Sequence, residues 1–488
     1  MLLKAGAISL ALLLASRVLG LVRESAQAAA FGTSAMGDVA VLMLTLPDWL
    51  ASLMAGGALA YVLLPHWARQ PAGAQAYSQR QVAVWLLAGG CALAAGLWLV
   101  QEHAVRWLAP GLPVEFRAVA VSALAWSGAA VPLALLAVLW STRLQHERDF
   151  AGMYAANLIV NLILIGALAA LVALPQPASA ASYLGMALML AMLARLGWLG
   201  WRQHVPDPAP GATAQSAASP MPRAPVWLWA VLSAGLPLAL PFVARSMSSA
   251  AGEGELATFN YAWKLVELPL VLAIQLAASL SFPAIAKAFA DNADAEQTVR
   301  QAFALTWALG CAAAAGLLVG APAIAQLLFG WGRMTPDSVQ RLAGWAMTGA
   351  WSLLPQALIA VALTVLAARD RMRPAVLAYA LGLGALLLTA GWSAGNGGRL
   401  MLVLDGVLAG VAAACVLALG HGARQWLPWR AMLAPLAALL VLWGLRAMSP
   451  GMSAASVALG LALAACAALL VLASSWLAGG DLRGALRR

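Results

Sequence analysis

The chain has 488 residues, of which 63% are hydrophobic and only 9% are charged. Soluble domains carry about 25% charged residues, so this composition, with a mean hydropathy of +0.85, excludes an ordinary soluble protein. The net charge is +10, from 28 Lys and Arg against 18 Asp and Glu. Because no long run of basic residues occurs, nucleic acid is not a predicted partner, and an anionic membrane surface or an anionic substrate remains.

Apolar stretches long enough to cross a bilayer recur along the chain. A hydrocarbon core of about 30 Å requires roughly 20 apolar residues per helix, and about fourteen stretches meet that length. They lie near residues 5–22, 36–64, 80–101, 117–142, 151–173, 181–201, 225–248, 258–287, 300–328, 340–367, 374–392, 400–420, 430–447 and 453–478. The sequence therefore predicts an all-α polytopic membrane protein with both termini on one side.

The distribution of positive charge predicts the orientation. In this assignment most of the 28 Lys and Arg residues, Arg195 among them, fall on the side of the N-terminus. Short cytoplasmic loops are enriched in Lys and Arg. We therefore expect a multi-pass protein of a bacterial inner membrane with both termini in the cytoplasm.

The longest break between apolar stretches is residues 203–224, which are rich in Pro, Ala and Ser and predict a flexible cytoplasmic linker. It separates a predicted six-helix half, residues 1–202, from a second, residues 225–422, which is followed by a two-helix segment, residues 423–488. The second helix of each half contains an interior proline, Pro47 or Pro269. Internal repeats of this kind are common in transporters.

The four cysteines, Cys91, Cys311, Cys415 and Cys466, all fall inside apolar stretches and show no metal-ligand spacing. They are interpreted as small core residues. The sequence predicts neither a metal site nor a cofactor.

Ionisable residues inside spans are costly to insert, so each is a candidate functional residue. In the first two helices of the predicted halves they are Arg17, Arg23, Glu24, Asp38 and Asp48, and then Arg245, Lys264 and Glu267. These cations predict a positively charged site between the halves, suited to a pyrophosphate or a carboxylate.

Helical spacing predicts how some of these residues relate. Lys264 and Glu267 are three residues apart and share a helix face, where they can pair. Arg17 and Arg23 are six residues apart and diverge by about 120° on an ideal helix, so a break near Gly20 would be needed to direct both toward one cavity.

Asp48 and one further carboxylate, Asp405, are interpreted as residues that cap or bond neighbouring helices. No catalytic triad, zinc-protease motif or phosphate-binding glycine loop is present, so an enzyme is not predicted.

Several motifs resemble those of the MurJ/MviN lipid II flippases of the MOP exporter superfamily. The first is the segment SRVLGLVRE, residues 16–24, which is followed by Phe31-Gly32 and Asp38. The others are Leu46-Pro47-Asp48, Gly57-Ala58 before Pro65, YAWKLVELP at residues 261–269, LFGWGR at residues 328–333, and ARDRMRP at residues 368–374.

The resemblance implies an alternating-access flippase that carries the undecaprenyl-pyrophosphate-linked peptidoglycan precursor, lipid II, from the cytoplasmic to the periplasmic leaflet. It implies substrate-binding roles for Arg17, Arg23, Arg245 and Lys264, and gating or pairing roles for Asp38, Glu24 and Glu267. The last two helices would form a groove for the lipid tail. The implied partners are a lipid-linked anionic glycan, membrane lipids and cell-wall synthesis proteins.

The chain departs from the family pattern in several positions. Ala51, Ser52 and Gly56 stand where family members usually have charged residues, and Trp263-Lys264 replaces an Asp-Arg pair. The span at residues 374–392 has no acidic residue, so a sodium site there gains no support. Three alternatives therefore stay open: a flippase for another polyprenyl-linked oligosaccharide, a drug exporter of the MATE type, and a membrane glycan polymerase or ligase.

Overall fold

The structure is a computed structural model that describes residues 2–54, 58–173, 179–203, 221–291, 295–393, 395–420, 422–448, 456–478, 480 and 483. Within these residues the secondary structure is helical and no strand occurs. The prediction of an all-α fold is confirmed.

The chain forms two compact units. The N-terminal unit comprises Met1–Leu238 and Gly252–Ala257, and the C-terminal unit comprises Ala239–Ala251 and Thr258–Arg488. Of the predicted linker, residues 204–220 lie outside the described residues. The predicted halves, residues 1–202 and 225–422, stay predictions.

The helices of the N-terminal unit are α1 (Leu2–Phe31), α2 (Ala35–Leu53), α3 (Leu59–Ala68), α4 (Ala72–Leu99), α5 (Gln101–Leu108), α6 (Arg117–His146), α7 (Phe150–Ala173), α8 (Ala180–Arg202) and the first part of α9 (Ala224–Ser248). Helix α6 lies at the centre of this unit and packs against α2, α4 and α8. Its buried face consists largely of small residues, such as Ala123, Ala130 and Ala137, which allow neighbouring helices to approach closely.

The helices that follow α9 are α10 (Glu255–Pro269), α11 (Leu276–Ala290), α12 (Glu296–Phe329), α13 (Pro336–Gly349), α14 (Leu353–Ala368), α15 (Arg373–Leu388), α16 (Ala390–Ser393), α17 (Gly397–Leu417), α18 (Gly422–Trp426), α19 (Trp429–Met448) and α20 (Val457–Ala478). In the C-terminal unit, α12 packs against α13, α14, α19 and α20. At Gly320 of α12 an added Cβ atom would collide with the Cβ atom of Ala464. The contact between α12 and α20 therefore requires glycine at this position.

Within the described residues, thirteen helical segments are long and apolar enough to cross a membrane. Each overlaps one of the predicted stretches. The first predicted stretch, residues 5–22, lies within α1, which is 30 residues long and is not among the thirteen. The prediction of a polytopic membrane protein is confirmed.

The prolines of α2 and α10, the second helices of the two predicted halves, affect their helices differently. Helix α2 passes through Pro47 and continues to Leu53. Helix α10 ends at Pro269 and is followed by a π-helical turn, Leu270–Gln275, before α11 begins. Proline lacks a backbone donor and clashes with the preceding turn, which accounts for the local loss of the α-helical bonding pattern after Pro269.

The prediction that all four cysteines are core residues is wrong for two of them. Cys311 and Cys415 are buried, whereas Cys91 and Cys466 are exposed. Both exposed cysteines lie in helices that can span a membrane, where a lipid-facing position is as apolar as the protein interior.

Candidate functional site

An ion-pair cluster lies between α1 and α2 in the N-terminal unit. The Nη2 atom of Arg23 donates to Glu24 Oε1 at 2.9 Å and lies 2.9 Å from Asp48 Oδ2. The Arg23 and Glu24 side chains are 11% and 7% exposed, whereas Asp48 is 43% exposed. One guanidinium therefore neutralises two carboxylates, of which only Asp48 is accessible from outside the cluster.

Arg195 on α8 extends this cluster. The residue is buried and interacts electrostatically with Asp48. The sequence assignment to the cytoplasmic side missed this role, because Arg195 lies inside α8, seven residues before its end at Arg202. Its position in a span was the one signal that could have singled it out.

Several donors around this cluster are buried and have no acceptor within the described residues. They are the Nε atoms of Arg23 and Arg195 and the Nε2 atom of Gln27. Gln27 lies one turn after Arg23 on α1 and therefore on the same face. Buried donors are normally satisfied, so this region offers capacity for a ligand rich in acceptor oxygens.

Arg17 does not join Arg23 in the cluster. Helix α1 passes through Gly20 without a break, so the condition for directing Arg17 and Arg23 toward one cavity is not met. Arg17 is exposed and interacts electrostatically with Tyr154 on α7. The physical reason is that a single glycine costs a helix only about 1 kcal/mol, which is too little to interrupt a 30-residue helix.

Asp38 is fully buried in the N-terminal unit and bonds backbone groups. Its two carboxylate oxygens accept hydrogen bonds of 2.8 Å from the N–H groups of Gly254 and Ala257. These groups lie at the start of α10, so Asp38 satisfies donors that a helix N-terminus leaves without partners. Gly254 has a φ of +76°, and an added Cβ would collide with the carbonyl of Thr33, so glycine is required there.

The C-terminal unit holds two further polar pairs. Arg245 Nη1 donates to Asn260 Oδ1 at 2.6 Å, and the Arg245 guanidinium lies 5.7 Å from the centroid of the Phe242 ring. Lys264 Nζ donates to Glu267 Oε2 at 2.8 Å, and the two side chains are 30% and 35% exposed. Arg245 therefore lies on α9 and its partner Asn260 on α10, while Lys264 and Glu267 lie at the end of α10, just before the π-helical turn.

Two of the three uncharged positions at which the chain departs from the family pattern lie in α2. Ala51 and Ser52 lie at the end of α2, in its last turn, and carry no charge. Gly56 lies outside the described residues. The charged residues of the N-terminal cluster are therefore supplied by α1, by α8 and by Asp48 of α2.

Many apolar spans with ion pairs inside them define a polytopic α-helical membrane protein of the kind that moves polar cargo, since intramembrane charges mark substrate and ion pathways. A family model described as "Lipid II flippase MurJ" matches residues 27–447. The chain therefore belongs to the lipid II flippase MurJ family. Its function is the flipping of lipid II, and it is a transporter rather than an enzyme.

Solved structures show the same fold. A lipid II flippase MurJ in an inward closed conformation matches with a TM-score of 0.77 at 14% identity, covering 95% of this chain and 98% of that one. An inward-facing multidrug resistance transporter of the MATE family, in the MOP superfamily, matches with a TM-score of 0.65 at 15% identity, covering 84% and 94%. A MATE structure in complex with MaL6 matches with a TM-score of 0.56 at 15% identity, covering 86% and 96%. No curated protein matches the chain.

Proposed function

We propose that the chain carries lipid II from the cytoplasmic to the periplasmic leaflet of a bacterial inner membrane by alternating access, and that cations inside its spans bind the lipid-linked pyrophosphate. The bias of Lys and Arg toward one side supports cytoplasmic termini. Cell-wall synthesis proteins, which make and consume lipid II, are the proposed protein partners.

The observation that carries this proposal is the unequal exposure of the groups bonded to Arg23. The Asp48 side chain is 43% exposed, whereas the Glu24 side chain is 7% exposed. An incoming phosphate oxygen can therefore displace Asp48 from Arg23 while Glu24 stays in place. Arginine suits this exchange because its planar fork binds phosphate through two parallel hydrogen bonds.

The other cations are assigned supporting roles in binding the substrate. Arg17, Arg195, Arg245 and Lys264 are proposed to bind the anionic headgroup, while Glu24 and Glu267 hold Arg23 and Lys264 in place by pairing. For Asp38, bonded to the start of α10, we propose a gating role. The exposed apolar residues of α19 and α20, such as Leu440 and Leu469, support a tail-binding surface on the last two helices.

The proposal is tested by measuring flipping in proteoliposomes that contain lipid II or another polyprenyl-pyrophosphate-linked oligosaccharide. We expect the wild-type protein to flip lipid II faster. The Arg23→Gln variant should flip it at least about tenfold more slowly, because a charge-assisted hydrogen bond of about 1.5–3 kcal/mol is lost. The Asp48→Asn variant should bind the pyrophosphate more tightly, since the competing carboxylate is gone.

Asp149→Asn is the matched control for Asp48→Asn. Asp149 forms an ion pair of 2.9 Å with Arg202 in the same unit but lies outside the cluster, so its loss should leave substrate affinity unchanged. Equal flipping by wild type and Arg23→Gln would refute the assigned site. Preferential flipping of the other oligosaccharide would refute lipid II as the cargo.

A further inference from the structure

Asp405 is a buried carboxyl of the C-terminal unit, and no described residue supplies it with a counter-charge. It lies eight residues after the first residue of α17, Gly397, and twelve before the last, Leu417. At 1.5 Å per residue these distances are about 12 and 18 Å, so Asp405 lies near the middle of a membrane span. Both of its carboxylate oxygens are buried and have no hydrogen-bond partner within the described residues. The interpretation of Asp405 as a residue that bonds a neighbouring helix is therefore wrong.

The elements around α17 supply no partner for this carboxyl. Helix α17 packs against α13, α14, α15, α16 and the short 3₁₀ turn Ala350–Ser352. Near Gly349, where α13 ends, lie Met401 of α17 and Val266 of α10. The titratable side chains on these helices are Arg399 and Cys415 on α17, Asp337 and Arg341 on α13, Arg373 and Tyr379 on α15, and Glu255, Tyr261, Lys264 and Glu267 on α10. Within the described part of the chain, none of them forms an ion pair or hydrogen bond with Asp405.

An ionised carboxylate in this position would be unstable. Burying an isolated charge is far more costly than burying a neutral polar group, and such a carboxyl takes up a proton instead. Charged groups that persist at membrane depth are normally paired or lie on an ion pathway. None of the described residues pairs with Asp405, so the neutral acid is the favoured form.

We propose that Asp405 is a proton-binding site, and that it binds and releases one proton in each transport cycle. The coupling to transport rests on the proposed function, whereas the protonation of Asp405 does not. Protonation requires only a carboxyl in an apolar environment. A cycle that exposes Asp405 to water in a different conformation would then release the proton.

The surroundings of Asp405 favour a proton over a metal cation. A hard cation requires several oxygen ligands around it, and within the described residues no group of three or more His, Cys, Asp or Glu side chains could hold a metal ion. On the elements that pack against α17, the polar side chains of Gln356 and Ser352 bond each other at 3.0 Å.

The first experiment detects the proton directly by infrared difference spectroscopy of the purified full-length protein in lipid vesicles. We expect the wild type at neutral pH to show the C=O stretching band of a protonated carboxyl, and this band should be absent from Asp405→Asn. In Asp405→Glu the band should return at a shifted frequency, which tests the assignment even if the Asn variant folds poorly. Asp337→Asn, which removes an exposed carboxyl from α13, should leave the band unchanged.

The second experiment tests coupling in proteoliposomes with a pH gradient and no membrane potential. One proton per cycle predicts that lipid II accumulates in one leaflet by about tenfold per unit of pH difference, because one unit corresponds to 1.36 kcal/mol. The Asp405→Asn variant should show no accumulation, while Asp337→Asn should behave as the wild type. Asp405→Glu should restore the dependence on the gradient.

The outcomes separate the two proposals. If the protein does not flip lipid II but the infrared band is present, the proposed function fails and the proton site stands. A wild-type spectrum identical to that of Asp405→Asn overturns the proton site. Thermal stabilisation by Na⁺ at constant pH that is lost in Asp405→Asn also overturns it, in favour of a sodium site.

Discussion

The Nη2 atom of Arg23 lies 2.9 Å from a carboxylate oxygen of Asp48, and the same atom bonds Glu24 at 2.9 Å. Because the Glu24 side chain is only 7% exposed, removing the guanidinium takes a counter-charge away from a buried carboxylate. The Arg23→Ala variant should therefore lose stability, by no more than about 3 kcal/mol since Asp48 remains hydrated. Thermal unfolding in detergent measures this loss.

A double variant distinguishes structural from functional effects of Arg23. Arg23→Ala combined with Glu24→Gln removes the buried carboxylate charge together with the guanidinium, so we expect most of the lost stability to return. Lipid II flipping should stay abolished, because the guanidinium is still missing. Recovery of flipping together with stability would show that Arg23 acts only through its ion pairs.

Arg195 is a buried cation that the sequence did not identify as a site residue, and substitutions test its role in substrate binding. Burying the Arg195 charge is costly, its Nε atom has no acceptor within the described residues, and Asp48 would keep its ion pair with Arg23. Arg195→Met should therefore melt at or above the wild-type temperature. Its affinity for lipid II should fall by roughly threefold to tenfold, which corresponds to about 1 kcal/mol. The Arg195→Lys variant, which keeps the charge, should retain most of the affinity. Unchanged binding in Arg195→Met would contradict a role in substrate binding.

The two charges of the Lys264–Glu267 pair can be exchanged while the ion pair is kept. The double variant Lys264→Glu with Glu267→Lys keeps opposite charges three residues apart on one helix face. Because both side chains are about one-third exposed, stability should change by less than about 1 kcal/mol. The cation moves by almost one helical turn, however, so complementation of a flippase-depleted strain should fail. Normal growth would indicate that only the pairing matters.

Asp38 is predicted to contribute to stability through its two backbone hydrogen bonds. Asp38→Ala removes the carboxylate that accepts from the N–H groups of Gly254 and Ala257, which should cost about 2–4 kcal/mol. Asp38→Asn should lie between wild type and alanine, because its amide oxygen can accept only one of the two bonds at this geometry. The control is Asp337→Ala, an exposed position where we expect a change within about 0.5 kcal/mol. A melting temperature of Asp38→Ala equal to that of the wild type would contradict this assignment.

The spans and one ion pair were predictable from the sequence because they depend on local information. A run of roughly 20 apolar residues has one stable solution in a bilayer, a helix, and the thirteen apolar segments follow that rule. The three-residue spacing of Lys264 and Glu267 was likewise enough to expect their contact, which is 2.8 Å in the structure.

Contacts between distant segments were not predictable in this way. The partners of Asp38 lie 216 and 219 residues further along the chain, and nothing in the local sequence identifies them. The burial of Arg195 depends on how α8 packs against α6 and α2. Because Arg195 lies within two turns of the end of α8, it was counted among the positive charges on the cytoplasmic side. The absence of a partner for Asp405 also depends on the surrounding helices rather than on its own sequence.

The hydrogen bonds of Asp38 also constrain how the protein is made. The N-terminal unit includes Gly252–Ala257, so its last contacts cannot form until the ribosome has synthesised Ala257. At about 5–20 residues per second, translation of the intervening chain takes roughly 10–45 s. During that interval the Asp38 carboxylate has neither of its native donors. The N-terminal unit is completed only when Gly252–Ala257 has been synthesised, and most helices of the C-terminal unit are synthesised after that.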